Sequence, residues 1–347
     1  MNIIALIIIP ILMTCVATDQ VASYVSPKSF FGGNELCYTR YGRGADQHVI
    51  YEWSQEERRE IPVWSGPGVL RDIRRSSLEY LSCISATRTS SDTVSSQLVL
   101  LSARRQDAEP MVSIEDVYEY TWAPDGKRIA YCQGNYGEGW WTGYESLGVV
   151  VLDLQTRETV KIADSGYRPF WAAFDGNLYF VEVVIRGKYG VYRYDFERKE
   201  IEKTAYKSTA FSPDGMYYFC AVPEEPAPFE LYRRETNTLI GEESQDGIPA
   251  LALRRLEPLK WADDRHIAAR AYGEHGGPSK RATYLADVRT REIRKCVEPF
   301  VGIISEGVAL VVKPDGTLET RRLENMPLIT ACQLPESPLE KPEAAGE

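Results

Sequence analysis

The sequence predicts an all-β chain, a β-propeller of four-stranded antiparallel blades. Three observations carry that expectation. A hairpin motif, Trp122-Ala123-Pro124-Asp125-Gly126, lies between two β-prone runs and returns as Phe211-Ser212-Pro213-Asp214-Gly215. It returns in thinner form as Trp171-Ala172-Ala173-Phe174-Asp175-Gly176, and degenerates to Trp261-Ala262-Asp263-Asp264. The aromatic that opens each copy (Trp122, Trp171, Phe211, Trp261) recurs roughly every 40–50 residues, the period of a four-stranded blade. Between the copies stands a second unit, an apolar strand ending in a polar turn, at 149–159, 191–200 and 284–292 and more loosely at 231–238. A short strand follows each, so one period holds two hairpins.

The chemistry of the motif explains its shape. Asp-Gly between apolar runs is a strong hairpin signal, because Gly accepts the positive φ that the turn requires. Pro ahead of it sets the turn and ends the strand. The aspartates of these turns are expected to bond their own backbone rather than to act as paired catalytic acids.

These residues resemble the TolB-type, WD-like β-propeller repeat, from about Leu70 to about Leu323. The resemblance implies a fold and little about function. TolB carries an α/β domain before its propeller, and residues 18–36 are too few for one. The resemblance therefore implies a propeller alone, and the Tol–Pal role of TolB does not transfer.

In chain order, residues 1–17 differ from the rest. Ile3 to Ile9 and Ile11 to Met13 form an apolar run broken by Pro10, too short for a comfortable membrane span and suited to a signal-peptide core. Cleavage after Ala17 satisfies the small-residue rule through Cys15 and Ala17, and Cys15 also offers a site for a lipid anchor. The expectation is an exported protein, periplasmic or extracellular. Residues 18–34 read as a leader, 35–334 as one propeller domain and 335–347, rich in Pro, Glu and Ala, as a solvated tail. Strands are expected at 36–40, 48–53 and 60–64, as a blade missing one strand, then at 70–75, 78–84, 97–102 and 110–113. Further blades begin near Val117, Arg168, Lys207 and Leu256, and a weaker one holds strands at 302–304, 308–312 and 317–322. A strand at 327–333 is expected to complete a blade from the other end of the chain. The count is about seven blades, with about six as the alternative, because terminal repeats are atypical.

Composition excludes some functions. The net charge of −10 and the lack of a basic stripe argue against a general nucleic-acid binder. Six cysteines follow the signal: Cys37, Cys83, Cys132, Cys220, Cys296 and Cys332. Cys83, Cys132 and Cys220 fall at like places in different blades, too far apart for the ~5.5 Å Cα spacing of a disulfide, and are expected to be buried thiols. No Cys-x-x-Cys pair suggests structural zinc. Neither a Gly-x-Ser-x-Gly elbow nor a phosphate loop, dinucleotide fingerprint or His-Glu-x-x-His occurs, so no catalytic residue, metal ligand or cofactor is assigned. Prolyl-oligopeptidase-type enzymes join a similar propeller to a hydrolase domain, for which this sequence has no room.

Long second-to-third-strand loops at 88–95, 133–147, 223–228 and 273–281 share one face, and recognition is expected there. The loop Gly134-Asn135-Tyr136-Gly137-Glu138-Gly139-Trp140-Trp141-Thr142-Gly143-Tyr144 stands out. Its aromatics, Tyr136, Trp140, Trp141 and Tyr144, offer flat faces for a peptide or a sugar, or else fold over the blade edge to extend the core. His275 sits on the same rim. His266 is expected at the surface of its degenerate hairpin and His48 is expected to be structural. The reading is a non-catalytic, exported propeller binding a protein or cell-envelope partner. The alternative is a carbohydrate-active enzyme, a lyase or glycosidase, holding its substrate on the same face.

Overall fold

The computed structural model describes residues 36–40, 47–54, 56–76, 80–88, 94–102, 110–136, 144–185, 188–220, 230–240, 256–271, 282–298, 300–305, 307–313 and 317–329. They form seven antiparallel sheets in sequence order. The first holds β1 (Leu36–Arg40), β2 (Gln47–Ser54) and β3 (Arg59–Pro67), and the second β4 (Val69–Arg75), β5 (Tyr80–Arg88), β6 (Val94–Ser102) and β7 (Val112–Glu115). The third holds β8 (Val117–Trp122), β9 (Arg128–Tyr136), β10 (Tyr144–Asp153) and β11 (Thr159–Ala163). The fourth holds β12 (Tyr167–Trp171), β13 (Leu178–Ile185), β14 (Lys188–Asp195) and β15 (Glu200–Lys203). The fifth holds β16 (Ala210–Phe211), β17 (Tyr217–Cys220), β18 (Glu230–Arg233) and β19 (Thr238–Leu239). In the sixth, β20 (Leu256–Trp261), β21 (His266–Ala271), β22 (Thr283–Asp287) and β23 (Ile293–Cys296) are joined by β27 (Leu328–Ile329). The seventh holds β24 (Phe300–Ser305), β25 (Val308–Val312) and β26 (Leu318–Arg322).

Each sheet is apolar on both faces, and side chains of alternate parity go to opposite neighbours. On β21, Ile267 and Ala269 pack with Leu231 of the fifth sheet, while Ala268 packs with Ile303 and Val311 of the seventh. The result is a hydrophobic cluster at every junction. Trp122 and Tyr131 meet Leu98 of the second sheet, and Val149 and Cys132 meet Trp171 and Phe180 of the fourth. Tyr179 meets Phe211 and Tyr218, and Cys37 and Ile50 meet Leu70 and Leu81. Trp53 of the first sheet meets Val301, Leu310 and Val312 of the seventh. The first strands of neighbouring sheets touch, as β8 does β12, β16 does β20 and β1 does both β4 and β24, so these strands stand innermost.

Trp122, Trp171, Phe211 and Trp261 end β8, β12, β16 and β20, as their recurrence predicts. The first sheet has three strands, as expected, and β3 runs into β4 through Gly68, which has φ +69°. β3 therefore ends at the rim where β4 starts, and β1, antiparallel to β2, runs against the first strands of the other sheets.

Three expectations are corrected. The strand expected at 327–333 is Leu328–Ile329 among the described residues, and it pairs with β23 at the outer edge of the sixth sheet. It does not complete the first sheet. Its place follows from Arg294, whose guanidinium donates to the carbonyls of Glu324 and Met326 and draws that segment against β23. The strand expected at 110–113 is Val112–Glu115. His266 is buried, not at the surface. It opens β21, the place Arg128 holds in β9, and is clasped by turn aspartates described below. The segments expected to be signal peptide, leader and tail lie outside the described residues. No helix among the described residues is long and apolar enough to cross a membrane.

Candidate functional site on the long-loop face

The two faces of the ring differ because the turns differ. First-to-second and third-to-fourth turns lie together and are tied by backbone bonds. Leu154 N–H donates to the Lys127 carbonyl, Arg234 N–H to Met216 and Val288 N–H to Arg265, each at 2.9 Å. The turn aspartates bond their own backbone. Asp125 accepts from Lys127 N–H at 2.9 Å, Asp175 from Asn177 at 3.0 Å and Asp214 from Met216 at 3.0 Å. Asp153, Asp195 and Asp287 each accept from the amides two and three residues on. These carboxylates are occupied as turn formers, which is what their sequence context implies.

At the degenerate turn the same logic holds His266. Its Nδ1 lies 2.9 Å from both Asp263 oxygens and its Nε2 3.8 Å from Asp287 Oδ2. Arg265 Nε donates to Asp287 at 2.6 Å. Burial acts to raise the Asp287 carboxyl, yet Arg265 and the Thr290 and Arg289 amides outweigh it and hold the group down at about 2. For Asp263 burial is likewise outweighed, chiefly by His266, and the group is lowered. This cluster fastens two turns.

The opposite face is where the innermost strands begin, and there they are irregular. β4 shifts register between Arg71 and Arg74, β8 between Val117 and Glu119, and β12 between Tyr167 and Phe170. Such bulges insert a residue and re-aim a side chain. Asp72 and Arg168 adopt φ +51° and +50°, a left-handed backbone that costs a non-glycine residue about 1–3 kcal/mol. The surroundings hold both in place. Trp122 Nε1 donates to Ser82 Oγ at 2.7 Å, Ser82 to the Tyr120 hydroxyl at 3.0 Å, and Tyr120 to the Asp72 carbonyl. The Arg168 amide donates to Glu119 Oε2, and its carbonyl accepts from Thr209 Oγ1 at 3.0 Å.

Four charged groups thus gather across three sheets: Asp72, Arg74, Glu119 and Arg168. Burial raises the Glu119 carboxyl, opposed by the Arg168 amide bond and the Arg168 and Arg74 charges, and supported by Asp72. The Arg74 guanidinium lies 5.0 Å from the centroid of the buried Tyr120 ring. Among the described residues, neither the Arg74 nor the Arg168 guanidinium has a carboxylate within ion-pair distance. On the fifth sheet beside them, Lys207 Nζ lies 3.7 Å from Glu230 Oε2. The half-buried Cys220 thiol is raised by burial and by Glu230, against the charges of Lys207 and Arg168. Among the described residues no group of three or more His, Cys, Asp and Glu is placed to hold a metal ion.

Of the residues singled out from sequence, Tyr136 and Tyr144 face one another as the last cross-strand pair of the β9–β10 hairpin. Their side chains, Trp140, Trp141 and His275 lie outside the described residues. Sequence reasoning missed the charged cluster. A signal existed: Asp72, Glu119, Arg168 and Ser208 each stand three residues before the equivalent position occupied by Arg75, Trp122, Trp171 and Phe211. A polar residue there interrupts an otherwise apolar inner strand.

No family model matches the sequence, and no curated protein does. Among solved structures, the chain is similar to the β-propeller domain of the Trilobed protease from Pyrococcus furiosus, reported to have an open velcro topology. That likeness has 12% identity and a TM-score of 0.53, over 87% of this chain and 95% of that one. The fold is a β-propeller. An oligogalacturonate lyase in complex with manganese is similar at 14% identity and a TM-score of 0.50, over 73% and 74% of the two chains. TolB from Acinetobacter baumannii is similar at 14% identity and a TM-score of 0.49, over 74% of this chain. The propeller described here spans 62% of the length of that TolB chain.

Proposed function

We propose that this propeller is an exported, non-catalytic binding module that engages a protein or cell-envelope partner through its long-loop face. The observation that carries the reading is the asymmetry of the faces. Carboxylates of the turn face are consumed by their own turns, whereas Arg168, near the start of its inner strand on the other face, stands without an ion pair among the described residues. Charged groups on a rigid scaffold beside variable loops suit recognition of a partner. The aromatic loop with Tyr136, Trp140, Trp141 and Tyr144, and His275, belongs to the same proposed surface. Export rests on the apolar run at 3–13, with Cys15 as the point of any lipid anchor.

The ring is read as seven blades, the first and last incomplete. What supports that count is a hydrophobic cluster at each of the seven junctions, including the one between the last sheet and the first. The test of function is in-cell cross-linking of the wild type and of Trp140→Ala/Trp141→Ala, with fractionation of the cell. The expected result is an exported protein whose partner cross-links are lost in the variant. Identical cross-links in both forms would remove the aromatic loop from the contact. Cleavage of a uronate polymer by the purified protein would replace the binding reading with the lyase.

A further inference from the structure

The two guanidinium groups beside Glu119 pose a chemical question. Side chains of this kind at a protein surface commonly pair with carboxylates. Here the Glu119 carboxyl of the cluster already spends one oxygen on the Arg168 amide, and burial favours its neutral form. A neutral carboxyl donates a hydrogen bond, as an ionised one cannot. Arg74 is held over the Tyr120 ring, and Arg168 is fixed at both ends of its own residue by Glu119 and Thr209. The backbone on both flanks adopts a left-handed conformation that costs free energy, held at Asp72 by the Trp122–Ser82–Tyr120 chain and at Arg168 by Glu119 and Thr209.

We infer that Arg74, Glu119 and Arg168 form a carboxylate-binding subsite along the inner strands of three neighbouring sheets, and that its ligand is an acidic side chain or chain end of a partner protein. The two arginines supply the charge. Glu119 supplies the hydrogen-bond donor to the second oxygen of the ligand carboxylate, while its other oxygen stays on the Arg168 amide. A singly charged carboxylate fits this set better than a phosphate, because the Asp72 carboxylate would repel a dianion more strongly. Recognition is short-range, since a net charge of −10 does not steer an acidic partner from a distance. The choice of a peptide over other carboxylates rests on the partner-binding reading above.

The experiment is calorimetric titration of the full chain with N-acetyl-triglutamate, its uncharged analogue N-acetyl-triglutamine, and digalacturonate, at pH 5 and pH 8. The triglutamate is expected to bind, and more weakly as rising pH ionises Glu119. Arg168→Gln and Arg74→Gln should each weaken it about tenfold or more, the scale of a charge-assisted hydrogen bond. Glu119→Gln, which keeps a donor but cannot ionise, should bind with little difference between the two pH values. Circular dichroism of each variant separates lost binding from lost folding. Equal binding of triglutamine, or wild-type affinity in both arginine variants, would overturn the subsite. Tighter binding of digalacturonate would overturn the peptide assignment while leaving the arginines in place. Loss of cross-links in the Trp140/Trp141 variant with triglutamate binding intact would separate the fate of the partner surface from that of this subsite.

Discussion

Single residues in this protein are held by the backbone as often as by their neighbours. Asp287 is the clearest case, since its carboxylate joins the third-to-fourth turn of the sixth sheet to Arg265 of the first-to-second turn. Its folded value of about 2 lies below the ~3.9 of an unfolded aspartate. The stabilisation is therefore present above about pH 4 and is lost as the pH falls towards 2, amounting to about 1–2 kcal/mol after allowance for solvent screening. Urea unfolding from pH 7 to pH 2.5 should show that loss in the wild type and a shallower slope in Asp287→Asn. Equal slopes would mean that the turn carries no such linkage. Two glycines make a second residue-scale test. Gly215 and Gly176 occupy like turns with φ +69° and +74°. A Cβ at Gly215 would lie 2.0 Å from the Phe174 ring, whereas one at Gly176 meets nothing within 4 Å. Gly176→Ala should cost about 1–2 kcal/mol from the backbone alone, and Gly215→Ala clearly more, by thermal or chemical denaturation. Thiols follow the same local rule. Burial pushes Cys83 and Cys296 up to about 12 and raises Cys132 well above its usual value. In the native state at pH 8, mass spectrometry after alkylation should find these three unmodified and the half-buried Cys220 modified before them.

Elements interlock through repeated positions, and that is why so much of the fold is legible in the sequence. Period-2 strands, the strand-ending aromatics and the Asp-Gly turns each encode a local geometry, and they agree with one another. Trp171 and Phe196 stack at 4.8 Å between centroids, and Arg128 from the third sheet lies 4.7 Å over Trp171 and 4.8 Å over Phe196. Removing that cation while keeping its apolar stem, as Arg128→Met, should cost about 0.5–2 kcal/mol. The loss should vanish in a Trp171→Leu background, and a double-mutant cycle by urea denaturation measures it. His266 shows where the repeat misleads. Its hairpin is degenerate, so a surface turn is the natural expectation, yet it takes the place of Arg128 and two aspartates from separate turns enclose it. The charged cluster was hidden for a different reason. A bulge breaks the two-residue alternation, so Glu119 and Arg168 read as outward positions of ordinary strands while the inserted residue re-aims them.

Closure of the whole ring has to be achieved between the first sheet and the last, and here it is made by side chains. The seventh sheet contributes Val301, Leu310 and Val312, and the first contributes Trp53, without a strand shared between them among the described residues. The last described strand is spent instead on the edge of the sixth sheet, where Lys295 N–H also donates to the Pro327 carbonyl at 2.9 Å. A junction held by packing alone lacks the backbone ladder that a shared strand would add, so it should be where the ring opens first. Hydrogen exchange followed by mass spectrometry in mild urea is expected to show β1, β2 and β24–β26 exchanging before β8–β14. Trp53→Ala removes the largest side chain at that junction and should cost about 3–5 kcal/mol, the usual loss for a large buried aromatic. The variant should widen the gap in protection between the two regions, because the lost contacts belong to closure and not to the interior junctions. Uniform protection around the ring in the wild type, or an equal loss everywhere in Trp53→Ala, would show that the ring unfolds as a single unit and that this seam is no weaker than the other junctions.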